Sequence, residues 1–161
     1  MARCRNKYQL PVDFHTITHW HKRSSPAHRG NLRHSIDFRC AEGSPVYAAR
    51  GGVVVWLRND SKIGGNNKKY INSGNRIVLK HEHGEYSAYE HNLYKSAKVK
   101  RGQKVKTGQL IALVGNTGWS ETPHLHFEVF TNPDSDECEG ETLQVVFKNI
   151  PRQTKCRPDC F

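Results

Sequence analysis

The sequence predicts a mainly β protein, a single domain with an antiparallel, sandwich-like arrangement of strands. Short runs rich in β-branched and aromatic residues recur along the chain, and Gly, Asn and Ser residues separate them. No ten-residue segment has the periodicity of an amphipathic helix. With 161 residues, the chain is long enough for one domain with its own hydrophobic core. Many strands without helices favour a sandwich-like fold.

The predicted strands follow one another at short intervals. In chain order they are Ser44–Ala49, Gly52–Leu57, Asn75–His81, Tyr86–His91, a short stretch at Val105, Leu110–Val114, His124–Phe130 and a late strand at Thr142–Phe147. The tripeptide 83–85 is predicted to form a hairpin turn. The polar segments 59–74 and 131–141 are predicted to be loops, and long loops in compact domains often bind ligands.

The segment Pro123–Val129 is the most informative stretch of the chain. If it is a strand, His124 and His126 point to the same face, because side chains alternate with period two. The residues that alternate with them are apolar and would enter the core: Leu125, Phe127 and Val129. Two imidazoles side by side over a packed sheet suit a metal ligand next to a histidine that does acid–base work.

A His-x-His pair alone is weak evidence for a metal site, and the chain has two others. His19 and His21 precede the other motifs, and we expect them to be surface residues. His81 and His83 flank the predicted turn and are expected to face solvent. Only the pair at 124 and 126 has apolar residues on the opposite face of its strand.

Three further groups of segments accompany this strand in a fixed order. They are Ser35–Phe38 followed by 42–54, Tyr89–Leu93, and Val99–Ile111 followed by 114–118. Together with the HLHFEV strand they resemble the lysostaphin-type (LytM-type) zinc metallopeptidases, which cut peptide bonds in bacterial cell-wall peptidoglycan. The resemblance covers about residues 28–149, so that 1–27 would be an N-terminal extension and 150–161 a C-terminal tail.

The resemblance implies a fold of the duplicated hybrid motif type, a Zn²⁺ cofactor and endopeptidase activity on peptidoglycan crosslinks. It assigns Asp37 and His126 as zinc ligands. His91 and His124 would be the unligated catalytic pair, which orients and deprotonates water and donates to the oxyanion. Both a glycine bridge and a D-Ala–diamino-acid crosslink stay open as the bond that is cut.

The third ligand follows from the spacing around Asp37. Many relatives have a His four residues before the Asp, but here that position is Arg33, which cannot ligate a metal. In a second form of the family the His lies further upstream, and His28 fits that form. His34 is the alternative, although in a strand its odd separation from Asp37 would turn it to the other face. We predict His28 as the third ligand.

A non-catalytic relative that acts as a cell-wall-binding or regulatory module is the alternative function. Such relatives typically lack ligands or catalytic histidines. This chain has all five residues that the resemblance requires, which favours an active enzyme. They are His28, Asp37, His91, His124 and His126.

The formal net charge of +10 and the pI of about 9.6 predict a polyanionic partner. No helix-turn-helix, zinc-finger or RNA-binding signature is present, so nucleic acid is an unlikely partner. Anionic cell-wall polymers are the expected one besides the peptidoglycan peptide. The basic stretch Val99–Lys106 is expected to border the groove near the HLHFEV strand.

The substrate implies a periplasmic or extracellular location at the cell wall, and we expect a monomer. No stretch approaches 18 apolar residues, so no membrane span is predicted. The basic start of the chain has no apolar run after it and does not predict a secretory signal peptide. Five cysteines leave at least one unpaired within the chain. Cys156 and Cys160 could form a small disulfide loop or remain thiols.

Overall fold

This computed structural model describes residues 3–21, 28–133, 139–148 and 150. These residues form twelve short strands and four 3₁₀ turns. The strands are β1 (His19–His21), β2 (Ile36–Arg39), β3 (Pro45–Tyr47), β4 (Gly52–Arg58), β5 (Gly64–Gly65), β6 (Arg76–Lys80), β7 (Glu85–Glu90), β8 (Lys104–Val105), β9 (Leu110–Leu113), β10 (Gly118–Trp119), β11 (His124–Thr131) and β12 (Glu141–Thr142). The 3₁₀ turns are Phe14–Thr16, Gly30–Leu32, Lys68–Ser73 and Glu82–Gly84.

The main sheet has the strand order β1-β2-β11-β7-β6-β4-β8, and β12 also pairs with β11. All its pairings are antiparallel. Two small sheets accompany it, an antiparallel β3-β9 pair and a parallel β5-β10 pair. The predicted mainly β, antiparallel fold of a single domain is confirmed.

Alternation along β11 separates the core from the site, as predicted. Leu125, Phe127 and Val129 are fully buried. The ring of Phe127 packs against Tyr89 and Phe38, with ring centroids 5.3 Å and 6.4 Å away. This face of the sheet carries the main hydrophobic core, so the intervening histidines of β11 are presented on the other face.

Two predictions about irregular regions are wrong. Of the stretch predicted as a late strand, 142–147, only Thr142 lies in a strand, at the end of β12 (Glu141–Thr142). Beyond it the backbone changes partner and forms isolated bridges from Gln144 and Phe147 to the N-terminal segment. The predicted loop 59–74 contains β5 and a 3₁₀ turn.

The N-terminal segment packs on the same core as the rest of the chain. Tyr8 and Val12 are buried there, and the Tyr8 hydroxyl donates to Glu85 Oε2 at 2.9 Å. The backbone N–H of Asn6 donates to the same oxygen at 3.2 Å. The domain boundaries at 28 and 149 remain predictions, and the tail beyond Ile150 lies outside the described residues.

His81 does not face solvent, contrary to the prediction. Its side chain is buried, with Nδ1 2.9 Å from the Gly51 carbonyl oxygen and Nε2 2.8 Å from Ser87 Oγ. A Cβ atom on Gly52 would lie 2.7 Å from the His81 ring. The close approach of β4 to the end of β6 therefore encloses this histidine, while His83 in the turn is exposed.

Among the described residues, no helix has the length and apolar character needed to cross a membrane. Cys4 and Cys40 are free thiols, and the other three cysteines lie outside the described residues.

Candidate metal centre and histidine pair

The pairing of β2 with β11 builds the first half of the site. Asp37 lies directly opposite His126 in this antiparallel ladder. Directly paired residues point to the same face of a sheet. Ile36 and Phe38, on either side of Asp37, are buried in the main core. Asp37 and His126 therefore lie side by side on the face away from that core.

His28 joins them from the segment before the 3₁₀ turn Gly30–Leu32. Its Nε2 lies 3.2 Å from Asp37 Oδ1 and 3.4 Å from His126 Nδ1. His126 Nδ1 lies 2.9 Å from the same Asp37 oxygen. Ligand atoms of a tetrahedral zinc ion with bonds of about 2.0–2.1 Å lie about 3.3 Å apart. The three side chains thus have the spacing of three ligands of one metal ion, which they could hold.

The charge of this group also suits a metal cation. Burial disfavours the Asp37 carboxylate, but hydrogen bonds with His126 and His28 outweigh burial and hold the pKa of Asp37 well below its usual range. Burial opposes a charge on His126 as well, yet contacts with Asp37 and Glu128 raise the pKa of His126 well above its ordinary value. An ionised carboxylate in this place demands a positive partner, which a metal ion would supply in place of a proton.

His34, the alternative third ligand, is not part of this cluster. It precedes β2, and its backbone N–H donates to Thr142 Oγ1 at 3.1 Å. The geometry brings together the other three predicted ligands.

The predicted catalytic histidines form the second half of the site. The ring centroids of His91 and His124 are 4.6 Å apart, and that of His91 is 5.9 Å from His126. His124 Nε2 lies 3.7 Å from Asp37 Oδ1. All five residues singled out in the sequence therefore meet at one place.

Backbone carbonyls fix the tautomers of both histidines. His91 Nδ1 lies 2.7 Å from the Thr117 oxygen, and His124 Nδ1 lies 2.8 Å from the Thr122 oxygen. A carbonyl only accepts, so each Nδ1 carries a proton and donates it. In each neutral ring the lone pair is then on Nε2.

Both rings are held in the neutral form. Burial, together with the neighbouring His124, lowers the pKa of His91 to about 4. Burial is also the main cause that lowers the pKa of His124, although Asp37 opposes it. At neutral pH each Nε2 can therefore accept a proton, which is what a general base requires.

A buried hydrogen-bond network holds the turn that carries His91. His91 has a left-handed φ of 63°, a conformation that a non-glycine residue adopts only when its surroundings impose it. Thr117 Oγ1 donates to the Asn92 oxygen at 2.9 Å and accepts from the Asn75 backbone N–H at 2.9 Å. The Asn75 amide also donates to the Asn92 oxygen at 3.1 Å.

Gly118 allows the chain to approach this turn. Its φ is 81°, and a Cβ atom there would lie 2.8 Å from the Gly74 Cα and 3.4 Å from His91 Nδ1. A side chain would push apart the segments that hold His91.

Buried charged residues lie next to Nε2 of His126, the ring nitrogen that does not face Asp37 and His28. Its Nε2 is 3.7 Å from Glu128 Oε2. Glu128 is almost fully buried, accepts from Ser35 Oγ at 2.9 Å and lies 3.5 Å from Arg76. Arg76 also pairs with Glu90 at 2.9 Å. Period-two alternation could have placed Glu128 beside His126. The contacts with Arg76 and Ser35, which come from other parts of the chain, could not be predicted from the sequence.

A sequence profile of Peptidase family M23 matches residues 31–137. The peptidoglycan DD-endopeptidase ShyA of Vibrio cholerae is 35% identical over 141 residues, which is 88% of this chain and 26% of that protein. The glycyl-glycine endopeptidase ALE-1 of Staphylococcus capitis is 36% identical over 107 residues, 66% of this chain and 27% of that protein. This chain thus spans about a quarter of the length of these relatives.

The fold comparison agrees. The crystal structure of a zinc-containing peptidase from Vibrio cholerae superposes with a TM-score of 0.56 at 32% identity, covering 78% of this chain and 37% of that one. The chain belongs to peptidase family M23. The match begins at residue 31, after His28, so that this ligand rests on the geometry described above.

Proposed function

We propose that this chain is a zinc-dependent endopeptidase that hydrolyses peptide crosslinks of bacterial peptidoglycan. One observation carries the proposal: three ligand atoms converge beside two neutral histidines whose tautomers are fixed. One of the relatives named above is a peptidoglycan DD-endopeptidase and the other a glycyl-glycine endopeptidase, and a similar solved structure is that of a zinc-containing peptidase. The substrate places the protein at the cell wall or in the periplasm.

His28 Nε2, Asp37 Oδ1 and His126 Nδ1 would hold the zinc ion. Two imidazoles and one carboxylate are a usual donor set for a catalytic zinc site, which keeps a further position open. When bound, zinc supplies a Lewis acid that polarises the scissile carbonyl and lowers the pKa of the attacking water.

His91 and His124 would move the protons. Nε2 of one accepts the proton of the attacking water as the carbonyl carbon becomes tetrahedral. The proton that this base has gained is then passed to the leaving amine, which breaks the peptide bond. Before it passes the proton on, the protonated base can donate a hydrogen bond from its Nε2 to the developing oxyanion. The neutral Nε2 of the other histidine would accept a hydrogen bond from the attacking water and so orient it. The carbonyls of Thr117 and Thr122 keep both Nε2 atoms directed toward the reacting groups.

The non-catalytic alternative is less well supported. A binding or regulatory module has no need for two partly buried neutral histidines next to a His/Asp/His cluster. Burying polar groups costs free energy unless they are paired, so a chain without catalysis would gain from replacing them.

Anionic wall polymers remain the proposed second partner, but not at the groove. The chain has no acidic residue from His91 to Ser120, while six lysines and arginines lie between Lys95 and Lys106. β8 pairs with β4 at Gly52–Val53, and β4, β6 and β7 separate it from β11. The expectation that this basic stretch borders the groove is therefore wrong for β8, because β8 forms an edge of the sheet and three strands lie between it and β11.

Digestion of cell walls tests the catalytic proposal. The zinc-loaded protein is incubated with purified sacculi of several wall types, and the fragments are identified by mass spectrometry. We expect release of uncrosslinked peptide stems that stops when a chelator removes the metal. Intact crosslinks in every wall type, with zinc bound at one per chain, would favour the binding-module alternative.

Sedimentation with sacculi across a salt series tests the polymer partner. Exposed charges are screened beyond about 8 Å at physiological ionic strength and about 3 Å at 1 M. Binding should therefore weaken steeply with salt, whereas hydrolysis of a short neutral crosslink should change much less. Binding that does not change with salt would assign the basic surface to something else, with nucleic acid as the next partner to try.

A further inference from the structure

We infer that Arg39 forms a carboxylate-binding subsite beside the metal centre, which takes a free carboxylate on the amine side of the scissile bond. The inference rests on the proposed endopeptidase function and narrows its substrate class to crosslinks that carry this acidic group.

Strand register places Arg39 on the face of the site. Ile36 and Phe38 of β2 are buried in the core, whereas Asp37 and Arg39 are only partly buried. Side chains two residues apart in a strand share a face. Arg39 is also directly opposite His124 of β11 and His19 of β1. Paired Cβ atoms lie about 4.5–5.5 Å apart, so that the Arg39 side chain starts next to a predicted catalytic histidine.

The Arg39 guanidinium has no carboxylate within ion-pair distance in the part of the chain that the structure describes. Arg76, in the neighbouring row on the same face, is different. It pairs with Glu90 at 2.9 Å and lies 3.5 Å from Glu128. One arginine of this face is thus neutralised from within the protein, and the other keeps its charge for a ligand.

Arg39 is partly buried, and its guanidinium is a planar fork of donors that matches a carboxylate with two parallel hydrogen bonds. An anion from the substrate is the partner that would complete this arrangement.

The spacing selects which substrate group can reach Arg39. Two residues along a strand span about 7 Å, so the Arg39 backbone lies about one peptide residue from Asp37, and its side chain can reach a group next to a carbonyl held at Asp37 and His126. In a crosslink whose amine-side residue keeps a free α-carboxylate, that group is next to the scissile nitrogen. The interior of a glycine bridge has no such group. The inference therefore favours the acidic D-Ala–diamino-acid crosslink over the glycine bridge.

Two synthetic peptides test the subsite. Both have D-Ala on the carbonyl side of the bond, and they differ only in a free α-carboxylate or a carboxamide on the amine-side residue. We expect the zinc-loaded wild type to prefer the carboxylate by about 10–100-fold in kcat/KM, the usual value of a hydrogen bond to a charged group. Arg39→Gln should abolish this preference, and Arg39→Lys should restore part of it.

Arg33→Gln is the matched control, because Arg33 is an exposed arginine that pairs with Glu141. It should keep the wild-type preference. Equal losses on both peptides in Arg39→Gln, or a wild type that does not distinguish them, would overturn the subsite.

Titration calorimetry with the two peptides tests the carboxylate subsite independently of the proposed endopeptidase activity. Arg39→Gln should weaken binding of the carboxylate peptide about tenfold and leave the carboxamide peptide unchanged, with equal zinc content in both proteins. This pattern supports the subsite even if neither peptide is cut, an outcome that would reject the catalytic proposal alone. Equal binding of both peptides by wild type rejects the subsite.

Discussion

The two halves of the site are built in different ways. Asp37 and His126 come from regular strands, paired in one antiparallel ladder over the core. His91 comes from a turn with a left-handed backbone, and a loop carbonyl fixes its ring. His124 belongs to β11, but its tautomer also depends on a loop carbonyl, that of Thr122.

The difference matches what each half has to do. A metal site needs ligand atoms at fixed separations, which rigid strands provide. Proton transfer needs a defined tautomer and a lone pair directed at the reacting group, which a single hydrogen bond to a carbonyl provides. We therefore expect the two halves to fail separately when they are altered.

Loss of a metal ligand should have the largest effect. His28→Ala and Asp37→Ala should each lower zinc occupancy and remove detectable hydrolysis, because two ligands hold the ion too weakly. Zinc content after dialysis is the measurement. His34→Ala is the control and should keep its zinc; loss of zinc in that variant, with zinc retained in His28→Ala, would exchange the two histidines in our assignment.

Alteration of the histidine pair should leave the metal in place. His91→Ala and His124→Ala should keep one zinc per chain and lose about 10²–10⁴-fold in kcat, the usual contribution of a positioned acid–base group. Binding of the substrate should change less. If either variant loses its metal, the two halves are not independent, and that histidine belongs with the ligands. Full activity in both would reject the proposed proton transfers.

The orientation of the histidines on β11 could be predicted because it depends on local rules. Period-two alternation places His124 and His126 on one face, and the apolar residues of the same strand identify that face as the one away from the core. Asp37 lies between two buried residues of β2 and follows the same rule. The pairing of β2 with β11 joins residues 89 positions apart, and the resemblance to the family, not a local rule, predicted that Asp37 and His126 would act together.

The rest could not be predicted because it depends on tertiary contacts. The sequence contains no signal that the Thr117 carbonyl meets His91, or that Asn75 joins the segments around it. His81 was expected at the surface because it flanks a turn, but the packing of Gly52 encloses it. The burial of Tyr8 likewise depends on Glu85, which is distant in the sequence.

A smaller effect is expected behind the metal ligands. Glu128→Gln keeps the shape of the side chain but removes the charge that faces His126 Nε2. Partners of this kind orient a ligating imidazole, and their loss typically costs about 10–100-fold in metal affinity. Zinc affinity measured by competition with a chromogenic chelator checks this value.

Glu85→Gln is the control for the removal of a buried charge. Glu85 is as buried as Glu128 but accepts from the N-terminal segment. This variant should be less stable and yet bind zinc like the wild type. Equal weakening of zinc binding in both variants would mean that Glu128 acts only through overall stability.

His81 allows the effect of histidine burial on the pH dependence of stability to be measured outside the site. It is buried like the histidines of the site, but its partners are Gly51 and Ser87. Burial lowers the pKa of His81 to about 4, below the ordinary value of about 6.5. Between these values the unfolded chain binds a proton that the folded chain does not, so stability falls as the pH drops from about 6.5 toward 4.

At pH 5 this difference corresponds to about 2 kcal/mol. His81→Gln should therefore lose about that much less stability than the wild type between pH 7 and pH 5, whatever its stability at pH 7. Urea unfolding at both pH values, with zinc at the same saturating concentration, measures the difference and cancels the metal's own pH dependence. His83→Gln, which alters an exposed neighbour, should follow the wild type. If His81→Gln also follows it, burial of this histidine does not contribute to the loss of stability in acid, which would then be assigned to the histidines of the site.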